Sequence, residues 1–285
     1  MSNIKQLEQT LSNAQSLKMI TQGYSEISAS KLQTIRTNME KNISFARELG
    51  DIFHLVKKEV IKRHLPLPPK KPGMVHILLT SNNRFYGNLE KPLARYFISA
   101  TNSLVANQPQ LQNIFFVVGK TGPIFLQALK YSLQYQSVVF KEDLPTTEEF
   151  ISFIEKIKSY QTILVYHSRF KTVLTQFPVI SDITQSLIKP QEIEADIKYI
   201  FEPELQEIQD FFERQILQIL FQQTFLESEL ARTSARLMAM DAAENNANDY
   251  LKEIKRNLAL QRRSIASSKA LEMINTLVNM QKATT

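Results

Sequence analysis

Apolar side chains recur every three or four positions along both ends of this chain. Near the start, Ile4, Leu7, Leu11 and Ala14 form one stripe, and Leu17, Ile20, Tyr24 and Ile27 continue it with a shift of a few residues. Leu32, Ile35, Met39, Asn42, Ala46, Leu49, Phe53, Val56 and Val60 then alternate by three and four, which predicts a helix with a coiled-coil seam and one polar position, Asn42. The other end repeats the pattern through Leu226, Leu230, Leu237, Met240, Ala247, Leu251, Ile254, Leu258 and Ile265, with Thr233, Glu244, Gln261 and Ser268 as weak or polar seam positions. Leu271, Ile274 and Val278 extend this apolar face.

The middle has a different texture. VHILLT (75–80), IFFVV (114–118), TILVY (162–166) and IKYIF (197–201) read as strands, with VVF (138–140) a shorter candidate. Helical stretches lie between them at 90–105, 123–133 and 146–160; Pro123 and the Thr/Glu starts suit helix N-termini. Alternating strands and helices predict a mostly parallel sheet.

Helix breakers divide the chain along the same lines. Every proline lies between Pro66 and Pro203, and no glycine follows Gly122. Proline breaks a helix by steric clash and by its missing N–H, so both ends are free to form very long helices. A helix from about 205 to 280 would extend roughly 110 Å at 1.5 Å per residue, too far for a small domain to cover. Two such helices can cover each other's seams, and they must run antiparallel because the middle segment starts and finishes at one end of the pair. The expected architecture is α/β: a long antiparallel coiled coil of the N- and C-terminal helices, with an inserted, mostly parallel Rossmann-like α/β domain. The expected boundaries are 1–65 for the first coil helix, 66–203 for the α/β domain and 204–285 for the last helix.

Composition adds limits. With 285 residues, 43% of them hydrophobic, the chain can bury a sizeable core. The absence of cysteine excludes disulfides, iron–sulfur sites and thiolate nucleophiles. The start has no signal-peptide-like apolar stretch, and no apolar run approaches the roughly 20 residues of a membrane span. A formal charge of +6 suits an anionic partner of any kind.

Candidate chemistry is sparse. GKTG (119–122) follows a strand but lacks the upstream glycine of a phosphate loop, and TSNNRFYGNLE (80–90) has a single glycine; both read as βα turns. His54, His64, His76 and His167 show no metal-ligand spacing and read as structural imidazoles. Glu142–Asp143 and Glu148–Glu149 suit loop or helix-start electrostatics. No catalytic, cofactor-binding or metal-ligating residue is assigned. Phe211, Phe212, Phe221 and Phe225 are expected to pack where the last helix meets the α/β domain.

The segment 252–269 sets Lys252, Lys255, Arg256, Arg262, Arg263 and Lys269 against Glu253 alone. This pattern fits a solvated outer face of the coil, a basic sleeve for an acidic partner, a nucleic-acid contact or a membrane-surface contact. Neither aromatic interleaving nor a recognisable nucleic-acid module accompanies it.

Several separated stretches resemble the gamma subunit of F-type ATP synthases. The pattern E-S/L-x-S-E-x-A-A-R-M-x-A-M-x-x-A-T-x-N-A is similar to Glu227, Ser228, Glu229, Ala235, Arg236, Leu237, Met238, Ala239, Met240, Ala243, Asn246 and Ala247. K-I-T-x-A-M-x-x-V-A-A-x-K-L is matched in part by Ile20, Thr21, Ile27, Ala29, Lys31 and Leu32. Gly119, Lys120 and Gly122 resemble a V-G-x-K-G turn, and VYHSRFKTVLTQFP (165–178) and YIFEP (199–203) fall in the expected order. The chain departs from the pattern at T-S-D-R-G-L-C-G-G-L-N, where Asn82, Arg84, Tyr86 and Asn88 replace its Asp, Cys and two glycines. Gly23–Tyr24 stands in place of Ala-Met, and N-x-x-R-Q-x-x-I-T is reduced to Leu258, Gln261, Arg262, Ile265 and Ala266.

The resemblance implies a non-catalytic rotating shaft that couples ion flow through a membrane ring to conformational cycling of a catalytic hexamer. It implies alpha and beta subunits, an epsilon-type stalk subunit and a membrane c-ring as partners. It further implies no cofactor, no direct nucleotide or nucleic-acid binding, and a peripheral location on the cytoplasmic side of a bacterial-type plasma membrane. Met19, Ile20, Leu271, Ile274 and Leu277 are then candidates for an apolar ring contact, and Arg256, Arg262 and Arg263 for acidic residues on the ring. Leu32, Ile35, Met39, Leu237, Met240, Leu251, Ile254 and Leu258 are the expected coil seam. The alternative reading is a non-rotating coiled-coil scaffold with an α/β docking domain; an enzyme using the α/β domain is a further class.

Overall fold

The computed structural model describes residues 2–65, 70–107, 110–184, 202 and 204–283. Helix α1 spans Ser2–Lys62 and helix α5 spans Leu205–Ala283. Between them lie β1 (Lys71–Leu79), α2 (Glu90–Asn107), β2 (Asn113–Val118), α3 (Thr121–Ala128), β3 (Gln136–Val138), α4 (Thr147–Ile157), β4 (Tyr160–Phe170) and β5 (Gln176–Asp182). The long terminal helices pack together as an antiparallel coiled coil, and the α/β part is inserted between them. The chain forms two compact units, Ser28–Arg236 and Met1–Ile27 with Leu237–Thr285, so each long helix contributes to both.

In the larger unit the sheet order is β3-β2-β1-β4-β5. The first four strands are parallel and β5 is antiparallel to β4. Side chains alternate across the sheet as strand geometry demands. On one face Leu78, Phe115, Val117 and Tyr166 pack against Leu93, Ala94 and Phe97 of α2 and Leu126 of α3. On the other, Val75, Ile77, Leu79, Phe116, Val118, Ile163 and Val165 meet α4, α5 and Phe53 of α1. The two long helices therefore complete the outer layer on that second face. Their contribution is chiefly aromatic: Phe221 lies against Phe153 at 5.5 Å, and Phe225 meets Phe150 at 5.2 Å and Phe140 at 6.0 Å. Phe212 is half-buried beside this core, but Phe211 is exposed, because it precedes Phe212 by one residue, about 100° around the helix, and lies off the packed face.

Local chemistry explains the element ends. Thr146 and Glu149 form a reciprocal capping box at the start of α4. Helix α3 begins two residues before Pro123 and stops earlier than its apolar pattern suggests. Lys130 takes a left-handed conformation (φ 56°), and the Tyr131 N–H donates to the Leu126 carbonyl, closing the helix with a Schellman-type turn. Strand β5 has no counterpart among the expected strands. Its Pro178 weakens the sequence signal but is tolerated on an edge strand. The expected strand at 197–201 lies outside the described residues.

In the smaller unit the first part of α1 pairs with the last part of α5. Leu11 and Ala14 pack against Leu251 and Ile254. Gln22 donates to Glu244 at 2.6 Å and Arg262 donates to Glu8 at 2.7 Å, so partner numbers fall along α5 as they rise along α1. The stripe Leu17–Ile20–Tyr24–Ile27, expected to continue the seam, is exposed instead. The buried positions of α1 here are Ala14 and Thr21. Small residues let the helix backbones approach, which turns the larger apolar residues outward.

Replacing Phe221 with Ala should destabilise the larger unit by about 3–5 kcal/mol, since a fully buried ring is removed from a packed cluster. Replacing the exposed Phe211 with Ala should cost less than about 0.5 kcal/mol. Urea unfolding of the purified chain, followed by circular dichroism, measures both; equal losses would contradict the packing described.

Candidate functional site

The carboxyl edge of a parallel sheet is where α/β proteins commonly hold ligands. Here that edge is closed by the chain itself. At Gly119 (φ 98°) the backbone comes so close to β1 that an added Cβ would lie 2.6 Å from the Thr80 carbonyl oxygen. Thr121 Oγ1 donates to the Ser81 carbonyl, and the Gly122 N–H donates to Thr80 Oγ1. The GKTG turn thus spends its polar groups on the neighbouring turn rather than on a phosphate cradle.

Above this edge lies a buried polar network built from both long helices and two loops. The Glu229 carboxylate of α5 accepts from Arg232 Nη2 at 2.9 Å and Nε at 3.1 Å through one oxygen. Its other oxygen accepts from Lys31 Nζ of α1 at 2.7 Å. Arg232 also donates to the Thr80 carbonyl at 3.3 Å, at the end of β1. Glu229 and Arg232 are both almost fully buried, whereas Lys31 keeps contact with solvent. Burial opposes the charge on Arg232, but Glu229, Asp143 and Tyr86 outweigh it and hold the guanidinium protonated.

A second layer continues outward. Asp143 accepts from the Asn82 N–H at 2.5 Å, from Tyr86 Oη at 2.8 Å and from Asn83 Nδ2 at 3.2 Å. Burial works against the Asp143 carboxylate, but Arg232 and these hydrogen bonds together hold its pKa below the usual carboxylate value. Arg236 donates to Tyr86 Oη at 2.6 Å and sits 4.5 Å from the Tyr86 ring centroid. Burial first, then the nearby Asp143 and Glu229 charges, push the Tyr86 phenol far above its ordinary range, so it acts as a fixed hydroxyl.

This network can do no nucleophilic or acid–base work that the geometry reveals. It fixes the angular position of α1 and α5 against the sheet edge. Removing one buried charge while leaving its partner costs far more than replacing the pair by apolar groups. The sequence signal for it is an i, i+3 pair of opposite charges, Glu229 and Arg232, on either side of Leu230 and Ala231; the roles of Asp143 and Tyr86 depend on tertiary contacts and leave no local signature.

The histidines expected to be structural include two that are fully buried. His76 bonds Tyr166 and Asn113, each at 3.1 Å. His167 bonds Ser181 Oγ at 2.8 Å, and burial lowers its pKa to about 4. Among the described residues no group of three or more His, Asp and Glu side chains could hold a metal ion.

The other expected site residues are scattered. Along the seam Leu32, Ile35, Met240, Leu251, Ile254 and Leu258 are buried, while Met39 and Leu237 are half-buried. Met19, Ile20, Leu271 and Ile274 are exposed; the backbone of Leu277 belongs to α5, and its side chain lies outside the described ones. Arg256, Arg262 and Arg263 are all exposed, but Arg262 is engaged by Glu8. Among the described residues, no helix is long and apolar enough to cross a membrane.

The family model described as ATP synthase matches residues 3–283. The chain belongs to the ATP synthase gamma-chain family. It is a divergent member. The ATP synthase gamma chain of Psychrobacter cryohalolentis is 24% identical over 270 residues, covering 89% of this chain and 91% of that protein. The gamma chain of Pelotomaculum thermopropionicum is also 24% identical, over 284 residues, covering 96% and 98%. Among solved structures, the rotor of the Euglena gracilis mitochondrial ATP synthase matches with a TM-score of 0.57 at 11% identity, covering 93% of this chain and 99% of that one. The central stalk and c-ring structure of the Tetrahymena thermophila mitochondrial ATP synthase gives 0.56 at 17% identity, covering 79% and 99%. These structures share the fold. Within it, the residues that depart from the gamma pattern support one another: Tyr86, in the place of Cys, bridges Asp143 and Arg236, and Asn82, in the place of Asp, donates its side-chain amide to the Phe140 carbonyl at 2.9 Å.

Glu229→Gln should destabilise the chain by about 3–5 kcal/mol in urea unfolding, whereas Glu229→Leu combined with Arg232→Met should recover most of that loss. Acid sensitivity provides a separate check. The folded pKa of His167 lies below its unfolded value, so the unfolded chain binds the extra proton between about pH 6.5 and 4, and stability falls as pH falls through that window. This amounts to about 3 kcal/mol, and His167→Gln should flatten that part of the thermal-stability profile.

Proposed function

We propose that this chain is the central shaft of a rotary ATP synthase, which performs no bond chemistry itself and couples ion flow through a membrane ring to conformational cycling in a catalytic hexamer. Gamma-family membership across 3–283 supports the coupling role. The single structural observation that favours it is the outward apolar stripe of Leu17, Ile20, Tyr24 and Ile27, on a helix whose buried side is already occupied by its coil partner. An exposed stripe of that size calls for a covering protein.

In this reading residues 1–65 and 204–285 form the shaft arms, and 66–203 form the base. Alpha and beta subunits surround the arms. Met19, Ile20, Leu271, Ile274 and Leu277 run in the apolar bearing of the ring. The base meets an epsilon-type subunit and the c-ring, which would place the chain on the cytoplasmic face of a bacterial-type plasma membrane. Rotation presents a different shaft face to each catalytic subunit, and only differential contact energy between conformations can shift their nucleotide affinities. Torque enters at the base and passes to the arms through the aromatic layer and the Glu229–Arg232 network.

Arg256 and Arg263 are assigned to acidic residues of the ring. Neither forms an ion pair among the described residues, unlike Arg262, whose partner is Glu8.

Ile20→Ser with Ile27→Ser should change the unfolding free energy of the isolated chain by less than about 0.5 kcal/mol, because both side chains are more than half exposed. In the assembled complex the same pair should lower ion-coupled ATP synthesis. A reversible crosslink between the shaft and one ring subunit should abolish coupled turnover, and its cleavage should restore it. Full turnover with the link intact would favour the non-rotating scaffold.

A further inference from the structure

In the larger unit, two titratable side chains outside the Arg232 network meet where α5 packs on β4 and β5. His167 of β4 is fully buried, and its Nε2 lies 2.8 Å from Ser181 Oγ of β5 and 3.9 Å from Glu227 Oε2 of α5. The other carboxylate oxygen of Glu227 accepts from Arg169 Nε at 2.9 Å. Arg169 is exposed, whereas Glu227 is mostly buried. Arg169 therefore ties the end of β4 to α5 from the solvent side, while His167 faces the same carboxylate from within.

The surroundings of the ring call for one more proton than a neutral imidazole carries. Nδ1 lies 3.4 Å from the Ser168 carbonyl oxygen and Nε2 faces the Glu227 carboxylate, so each nitrogen has an oxygen acceptor in front of it. A neutral ring has a single N–H, and in either tautomer its second nitrogen turns a lone pair toward an oxygen. A proton held between Nε2 and the carboxylate removes that conflict, and it belongs to the pair rather than to either residue. Burial is the largest influence on both groups: it raises the pKa of Glu227 and lowers that of His167 to about 4, so both favour their neutral forms. Arg169 of β4 and Arg232 of α5 oppose a proton on the ring, and Arg169 also opposes one on Glu227. Strand β5 presents the Ser181 hydroxyl, while the Asp182 carboxylate accepts from Thr184. On α1, Arg36 lies over the Phe170 ring and Lys31 is held by Glu229.

We propose that His167 and Glu227 form an acid-operated switch: a proton from solvent binds between His167 Nε2 and the Glu227 carboxylate, draws that carboxylate inward and releases Arg169. The incoming proton forms an O–H on Glu227 that donates to Nε2. The bond that breaks is the Arg169 Nε–H hydrogen bond to the carboxylate; the guanidinium keeps its charge and turns to water. A charge-assisted tie on the surface is exchanged for a neutral bond in the interior. Acidification then loosens the end of β4 from α5 and leaves the neighbouring Glu229–Arg232 pair intact. The switch resides in this chain and requires no partner subunit.

The test is an NMR titration of the full-length chain, isotope-labelled at arginine and histidine, between about pH 7.5 and about pH 4. The Arg169 Nε–H and His167 ring signals are identified by their loss in Arg169→Gln and His167→Leu. Both signals are expected to move with one shared midpoint. Glu227→Gln should abolish the Arg169 step. His167→Leu removes the inner acceptor and should lower the proton affinity read at Arg169 about tenfold. Arg169→Gln, which alters an exposed side chain only, should raise the affinity read at the His167 ring about threefold. An Arg169 signal that stays still across the range overturns the proposal. So does an Arg169 midpoint unchanged in His167→Leu, which is the behaviour of a carboxylate titrating alone, or a His167 titration indifferent to Arg169→Gln. Circular dichroism at each pH checks that every variant compared is folded.

Discussion

The constraint on which the structure depends is the double duty of α5. Its first part must close one face of a five-stranded sheet, and its last part must pair with another helix. A single stripe of apolar residues cannot meet both needs, because a sheet presents a broad surface and a coiled-coil partner a narrow one. The chain changes residue type along the helix accordingly. Between Ile216 and Leu230 the buried apolar residues are large, and Phe221 and Phe225 fill the space above the sheet. Between Met240 and Leu258 burial contracts to single positions three, four or seven apart. The transition contains Glu229, Arg232, Thr233 and Ser234, all buried and polar, where packing against loops replaces packing against an apolar face.

That polar transition is expensive in desolvation, and an apolar substitute would come close to it in stability by general experience with buried ion pairs. Its value lies in direction. Hydrophobic contacts resist separation but allow sliding, whereas a guanidinium held by Glu229 and by the Thr80 carbonyl has few acceptable orientations. Torque transmission needs resistance to turning more than it needs extra stability. Lys31 adds a contact from the opposite helix to the same carboxylate, so α1, α5 and the end of β1 are joined through the Glu229–Arg232 pair.

Much of this architecture is legible in the sequence because it follows from periodicity and breakers. The long helices, the apolar stripe of α1 from Leu32 to Val60 and three of the five strands come from spacing alone; β3 meets its expected place at 138–140 only at Val138. The stripe at Leu17–Ile27 shows the limit of that method. A helical repeat shows that a face is apolar, but not whether the partner covering it belongs to the same chain. Thr21, Ala14 and Gln22 take the inner side there because small and polar residues pair well at close helix approach, and the larger residues are left outside. Strand β5 was hidden for a different reason: an edge strand is only half-buried and tolerates Pro178, so it lacks the apolar run of the central strands.

The candidate site was less legible than the fold, and the cause is physical. The polar network joins residues separated by about two hundred positions in the chain, such as Lys31 and Glu229, and no local spacing rule connects them. The gamma-type resemblance includes Glu229, Arg236 and Lys31 as isolated letters; their geometry shows why these residue types belong together. The departures from the pattern make the same point. Tyr86 is longer than the Cys it replaces and reaches both Asp143 and Arg236, so the altered turn is not a loosened one. A divergent sequence has thus kept the mechanical requirement, a stiff joint between sheet and shaft, while changing the side chains that satisfy it.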